Sequence, residues 1–486
     1  MPRTYGIASY LHLRLLGLCT LAAFWSMFEQ ALGLIGSHGL SPVATTMAAQ
    51  AAAGRGCWQA PTVFWWSCSD SMVQLVFGAG VLAGLGLLLG IAPRAAAALG
   101  YLVVISVRAT EGDALRWFNW PFDSLLAESL FLAIWLSPSG SWSSPWRPVA
   151  PRPWARWLVL WLLFRLLLGT GVTKLLVGGP WFELVAVQHF LLTQPFPSAW
   201  AAAMHDGPRW LLQAACAYTM AYELIAPWLL WWPGRVARWA GLLGIPLMVG
   251  IYAIGSFRGF NHVTIGMLLL TIDDATWQRW FARLPAAWRP EFAAVAVPAS
   301  TRRSVLAGTV VVGLVAAASF EPVALQAGAG VEALPAAPLR AALRPFHLAA
   351  NYWVFCQIPS ERYGLVVQGS DDGVVWHDYE LRGLRTANRC PPVHVAPGND
   401  HFGFLVWLSG FGPPEVAGGW LPALLAALLR GEPTVRGLFA YDPFPAAPPR
   451  HVRVLQCHYR FASPDQRAVG VFWERRELGV HGTASR

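Results

Sequence analysis

The chain of 486 residues is 55% hydrophobic and only 13% charged, with 27 tryptophans and a formal net charge of +9. A soluble domain carries about 25% charged residues, so a purely soluble protein is excluded. Disorder is excluded as well, because so apolar a chain buries enough surface to offset its ordering entropy. All but one of the 35 basic residues are Arg, and most flank apolar runs. That pattern reads as membrane topology, with membrane lipids as surroundings and no nucleic-acid partner.

Nine apolar runs follow one another, at roughly 11–35, 73–91, 95–107, 123–137, 154–177, 210–232, 236–256, 259–272 and 304–320. A span needs about 20 residues, so the third, fourth and eighth imply tilted or broken helices packed on longer ones. The first is too long, and too rich in Trp, Phe and Glu, for a removable signal peptide. With the N-terminus inside, the inner segments hold twelve Arg, among them Arg3, Arg94, Arg152, Arg235 and Arg302. The outer loops hold five, Arg55, Arg108, Arg116, Arg209 and Arg258. The imbalance predicts an odd number of spans and an extracytoplasmic segment after the last of them.

Residues 321–345, rich in Ala and Pro, read as a linker between a transmembrane helical domain (1–320) and an outer domain (346–465), with 466–486 as a tail. In the outer domain the period falls to two. Tyr363–Gly369 reads as a strand, Gly369-Ser-Asp-Asp-Gly373 with Trp376 as a turn, and 450–461 as a long final strand. Trp420–Leu429 reads as a helical insert, and the whole as an antiparallel β-sandwich. Cys57 and Cys68 share the first outer loop, where an oxidising compartment permits either a bridge or two free thiols.

Ionisable residues in spans are costly and therefore informative. Glu29, Glu128, Arg165, Lys174 and Glu223 stand in or beside apolar helices, and Asp123 opens one. They can pair with one another to fix helix packing or line a polar cavity open to the outer face. Lys174 can also snorkel to the surface. Nine residues separate Arg165 from Lys174 and turn the helix through 900°, so the two side chains need different partners. Glu128 and Glu223 are the candidates for Arg165, with Glu128 favoured. The outer loop carries Glu111, Asp113, Arg116 and Asn119 among aromatics, either a binding rim or an interfacial aromatic belt. The histidines fit no HExxH spacing, and neither GxSxG nor a P-loop occurs. No catalytic residue, metal or cofactor is therefore expected.

From the fourth span to the final strand the chain resembles the lipase maturation factor family. The matching stretches are Asp123–Ala133, Phe164-Arg165 through Lys174-Leu175, Thr193-Gln194-Pro195, Tyr222-Glu223 to Pro227, and Phe260-Asn261. They continue through Asn351-Tyr352, Asp372-Gly373 with Trp376, and Asp442–Pro445 to Arg450 and Tyr459–Phe461. Phe190 and Leu192, with His189 beside them, stand where the family has a His and a Glu; Gly178-Gly-Pro180 replaces a Gly-Asp-Pro. The polar run that follows the family's Pro-rich strand stands here as Gly398–His401. The resemblance marks a divergent bacterial member, an inner-membrane maturation factor or chaperone for exported clients such as lipases. The membrane half is distantly similar to DoxX-like and vitamin K-dependent carboxylase bundles. That keeps a membrane enzyme or redox protein acting on a lipid, quinone or small substrate as the alternative. The turn and Trp of the outer domain resemble a discoidin-like jelly roll, with Trp376 expected between two sheets.

Overall fold

The computed structural model describes residues 3–486 apart from 111–120, 233, 291, 327–336 and 413–418. The loop residues Glu111, Asp113, Arg116 and Asn119 lie outside the described residues. The membrane half opens with α1 (Gly6–Ile35), α2 (Val43–Ala52), α3 (Asp70–Leu89), α4 (Pro93–Arg108) and α5 (Pro121–Leu136). It continues with α6 (Pro153–Val177), α7 (Ala186–Thr193), α8 (Ala199–His205), α9 (Arg209–Leu229) and α10 (Arg235–Ile254). α11 (Phe260–Leu269), α12 (Asp274–Phe281) and α13 (Arg302–Gln326) complete it. Of these, α1, α3, α6, α10 and α13 are long and apolar enough to cross a membrane. The starts follow local chemistry. Ser69 caps α3 by accepting the Met72 N–H, and proline opens α4 and α6, where its missing N–H costs nothing.

α1 packs along α3, α5 and α11 and is buried over most of its length. Lipid tails are as apolar as leucine, so close backbone approach holds such helices together. Gly84 of α3 lies against the backbone of Leu21, and Gly17 of α1 against the backbone of Leu87 and Leu88. The first N–H groups of α1 have no local cap; the Asp274 carboxylate accepts those of Gly6 and Ile7 at 2.8 Å each. Arg156 near the start of α6 stacks on Tyr5, 3.6 Å from its ring centre. The starts of α1, α6 and α12 thus share one end of the bundle.

The outer domain caps the other end, against the ends of α1 and α6. After α14 (Ala337–Leu343) come β1 (Arg362–Ser370), β2 (His377–Asp378) and β3 (Glu380–Leu381). α15 (His401–Ser409), α16 (Trp420–Arg430), α17 (Pro433–Arg436) and β4 (Phe439–Tyr441) follow, then β5 (His451–Phe461), α18 (Pro464–Ala468) and β6 (Trp473–Ser485). An antiparallel sheet runs β2-β1-β5-β6, and β3 pairs with β4 as a ribbon. α15 packs on β1, and α16 on β5 and β6.

Several expectations change here. Among the described residues there are six strands backed by helices, not an eight-stranded jelly roll, because the apolar run at 401–409 also closes as a helix, beside the expected one at 420–430. Trp376 lies outside the sheet, partly exposed, with the Arg453 guanidinium 4.1 Å from its ring centre. The segment 466–486 is no tail, since it supplies β6, the long partner of β5. In the region read as linker, α13 extends to Gln326 and α14 fills 337–343. Cys57 and Cys68 are both free; the Cys68 thiol donates instead to the Phe64 carbonyl, 3.3 Å away.

Gly84→Leu would drive a side chain into the backbone of α1 and is expected to abolish the folded monomer peak in fluorescence-detected size exclusion. Gly250→Ala on α10, which meets open space, should leave that peak unchanged.

Candidate functional site

Four ionisable side chains of the helices, Glu128, Arg165, Lys174 and Glu223, converge where the bundle meets the outer domain. Arg165 of α6 pairs with Glu128 of α5, both almost fully buried. Glu128 also accepts the Tyr352 hydroxyl at 2.9 Å and the Ala350 N–H at 2.5 Å, while Arg165 donates to the Ala350 carbonyl at 3.2 Å. On the opposite face of α6, Lys174 pairs with Glu223 of α9 at 2.6 Å and donates to the Val354 carbonyl at 3.4 Å. Of the readings open to Lys174, pairing holds and snorkelling does not, since the side chain is 1% exposed. The strand-like segment around Tyr352 and Val354 covers the end of α6, and Trp181, 4.9 Å from the ammonium, closes the remaining side.

A third pair went unread in the sequence. Arg258, in the turn before α11, donates from Nη1 to both Asp123 oxygens at 2.5 and 2.6 Å. With its amide turned so that the oxygen faces Arg258, Asn399 of the outer domain accepts from Nε and Nη2 at 3.0 and 3.1 Å. Arg258 takes φ +53, a left-handed conformation that costs a non-glycine residue of order 1–3 kcal/mol. The bidentate pair holds it there. Sequence counting gives Arg258 only as an outer-loop charge; its place two residues before the Phe260-Asn261 stretch is the one local signal.

Beside this pair lies a cavity of about 400 Å³. Phe122, Pro195, Phe257 and Arg258 line it from the bundle, and Trp353, Phe355, Phe404 and Trp407 from the outer domain. Phe190 stacks on Phe257 and Phe355 meets both edge to face, with ring centres 4.8–5.2 Å apart. Gln194 braces the wall by donating to the Ile254 carbonyl at 3.0 Å, and Asn261 is buried in the first turn of α11. Arg362 of β1 donates to the carbonyls of Leu192, Gln194 and Pro195, and burial lowers its pKa to about 10. It still carries its charge at neutral pH. Trp407 donates to the Thr193 carbonyl at 2.9 Å. The cavity is thus an apolar, aromatic space with one neutralised charge pair in its wall, suited to holding an apolar or aromatic group.

Asp123, Gln194, Asn261 and the pairs around Glu128 and Glu223 are therefore brought to one junction. Glu29 at the end of α1 lies 3.7 Å from Arg382, where both are partly exposed. Asp372, Gly373, Trp376 and Arg450 do not join the junction. They belong to the β1–β2 turn and its flank, where Asp372 accepts the N–H groups of Val374 and Val375 at 2.8 Å and Gly373 takes φ +71. Those N–H groups hold the Asp372 carboxyl below the usual carboxylate range. Among the described residues no group of three or more His, Cys, Asp or Glu is placed to hold a metal.

The family described as the lipase maturation factor transmembrane domain matches residues 7–279, and the lipase maturation factor C-terminal domain matches residues 348–482. Lipase maturation factor 1 of Bos taurus is 28% identical over 98% of this chain and 89% of its own length. The Homo sapiens protein of that name is 26% identical over 98% and 88%. Lipase maturation factor 2 of Gallus gallus is 32% identical over 54% of this chain and 38% of its own length. No solved structure matches.

Two predictions follow from the geometry. Breaking a buried pair costs about 3–5 kcal/mol, so Arg165→Glu should abolish accumulation of folded protein, and adding Glu128→Arg should partly restore it. A lowered carboxyl pKa contributes stability above the unfolded value of about 3.9 and loses it as pH falls through the folded value. Protection of the Val374 and Val375 amides, measured as exchange relative to the intrinsic rate at each pH, should therefore persist at pH 5 and fall only below the normal Asp range; in Asp372→Ala it should be absent throughout.

Proposed function

The chain belongs to the lipase maturation factor family, and on that premise we propose that it is an integral membrane factor assisting the maturation of exported proteins, lipases first among them. The observation that carries this reading is the junction. Its buried charges are consumed in pairs and leave a small aromatic cavity between the bundle and the outer domain. A maturation factor needs such a surface, which grips an unfinished apolar segment and releases it without bond chemistry. The reading of a membrane enzyme required the same charges to line an open cavity. Here Glu128, Arg165, Lys174 and Glu223 face one another and the backbone of 350–354 instead.

The reading extends to nine spans in a bundle of the DoxX or carboxylase type. α4, α5, α9 and α11 would add to α1, α3, α6, α10 and α13. We place the N-terminus in the cytoplasm of a bacterial cell and the outer domain beyond its inner membrane. The gathering of Arg3, Arg152, Arg156, Arg235, Arg238 and Arg279 at the end remote from the outer domain supports that orientation.

The test is a secreted lipase expressed with and without this protein. The specific activity of the lipase should fall severalfold without the factor while its transcript stays level. Trp353→Ala with Phe355→Ala, which empties two walls of the cavity, should reproduce most of the fall in cells where the variant factor accumulates normally. Unchanged specific activity in the cells lacking the factor would overturn the reading.

A further inference from the structure

α13 leans on α6 along one narrow contact and leaves most of its surface uncovered. Between the two helices runs a groove of about 720 Å³. Trp154, Trp157, Trp161 and Trp231 form one wall, and Val315 and Phe320 stand on the other. The walls are fixed: Trp157 stacks flat on Trp231 with ring centres 5.3 Å apart, and the Trp161 N–H donates to Ser319 at 3.0 Å. Toward the bundle end remote from the outer domain, Trp154 and Trp157 also line a second cavity, of about 470 Å³. This one is cationic, with Arg3, Arg152 and Arg156 in its wall and Ser300 and Ser304 opposite.

The charges there are not balanced. Arg3 lies 3.8 Å from Asp273, and Asp274 is occupied by the N–H groups of Gly6 and Ile7. Arg156 donates to the Leu270 carbonyl at 2.9 Å and rests on Tyr5. Arg152 makes no ion pair among the described residues, and its Nε is buried without a hydrogen-bond partner. A buried guanidinium donor with no acceptor, at the mouth of an apolar groove in a membrane helix pair, calls for an anion attached to hydrocarbon.

We propose that the α6–α13 groove and its arginine-lined end form a binding site for an anionic phospholipid of the leaflet remote from the outer domain. The phosphate sits against Arg152, with Arg156 and Arg3 adding charge, and one acyl chain lies along the tryptophan wall. Trp157 and Trp231 occupy the boundary where indole rings favour the headgroup level. The residues Val312–Ala324 give the groove about 18 Å of helix, enough for a chain reaching toward the middle of a hydrocarbon core roughly 30 Å thick.

The test uses the full chain in detergent micelles doped with phosphatidylglycerol or phosphatidylcholine, read by thermal melting and by mass analysis of lipid retained on purification. Phosphatidylglycerol should be retained and should raise the melting temperature, with phosphatidylcholine doing neither. Arg152→Gln should weaken phosphatidylglycerol binding roughly fivefold, the value of one arginine near an anionic lipid, and leave melting in phosphatidylcholine unchanged. Ala316→Trp, on an exposed position inside the groove, should abolish retention. Arg302→Gln with Arg303→Gln, exposed charges outside both cavities, should keep it. Equal retention of the two lipids would overturn the proposal, as would full retention by Arg152→Gln or Ala316→Trp. A loss in the Arg302 and Arg303 variant as large as that in Arg152→Gln would reduce the effect to surface charge and overturn it too.

Discussion

Glu128 is 1% exposed, in a helix packed on all sides, and its two oxygens receive the Arg165 guanidinium, the Tyr352 hydroxyl and the Ala350 N–H. A carboxylate so far from water is tolerable only while those donors stay in place, because the desolvation penalty for an unpaired ion is several kcal/mol. Two of the three donors come from beyond the membrane half. The Lys174–Glu223 pair is sealed in the same way by the Val354 carbonyl. The outer domain is therefore bound to the bundle by electrostatic necessity as well as by apolar packing, and the junction cavity lies between the two.

The smaller contacts around the junction repeat the principle with neutral groups. Gln30 near the end of α1 accepts the Phe402 N–H at 3.1 Å and donates to the Asn399 carbonyl at 3.2 Å. Ser256 accepts the N–H groups of Val395 and Ala396 at 2.9 and 3.2 Å. Backbone that leaves the sheet thus finds its partners on helix ends, which is where unpaired carbonyl and side-chain groups of a bundle are available. Phe355 is held against Phe190 and Phe257, so that wall of the cavity is in position before anything binds, while Trp353 is 55% exposed.

Local patterns in the sequence carried the membrane helices and the two long inner strands. Hydropathy marks α1, α3, α6, α10 and α13, and alternation marks β1 and β5. The helical wheel of α6 separated Arg165 from Lys174 and led to Glu128, since angular position on a helix is a property of spacing alone. What spacing cannot show is what covers a helix end. Snorkelling stays open to Lys174 in the sequence because Val354 lies 180 residues away. Asp123 found its partner in Arg258 across 135 residues, with no periodicity linking them. β6 escaped notice because an edge strand carries charge along its open side, as Glu474, Arg475, Arg476 and Glu477 do here, and so reads as a polar tail. The run at 401–409 is short enough to be helix or strand by pattern, and only its packing on the sheet decides between the two, whereas the helix at 420–430 is legible in the sequence.

The donors that complete the Glu128 site sit 222 and 224 residues after it in the chain. At a synthesis rate of about 5–20 residues per second, that distance corresponds to roughly 10–45 s. Throughout this interval the helices emerge with a charge network that is only partly satisfied. The bundle of a nascent chain is therefore incomplete at this site, and the pairing of Glu128 is finished only when residues 350–354 reach that end of the bundle. Completion of the Glu128 site is in this way tied to the folding of the outer domain. A chain broken off before Ala350 would leave Glu128 with Arg165 as the one remaining donor of these three.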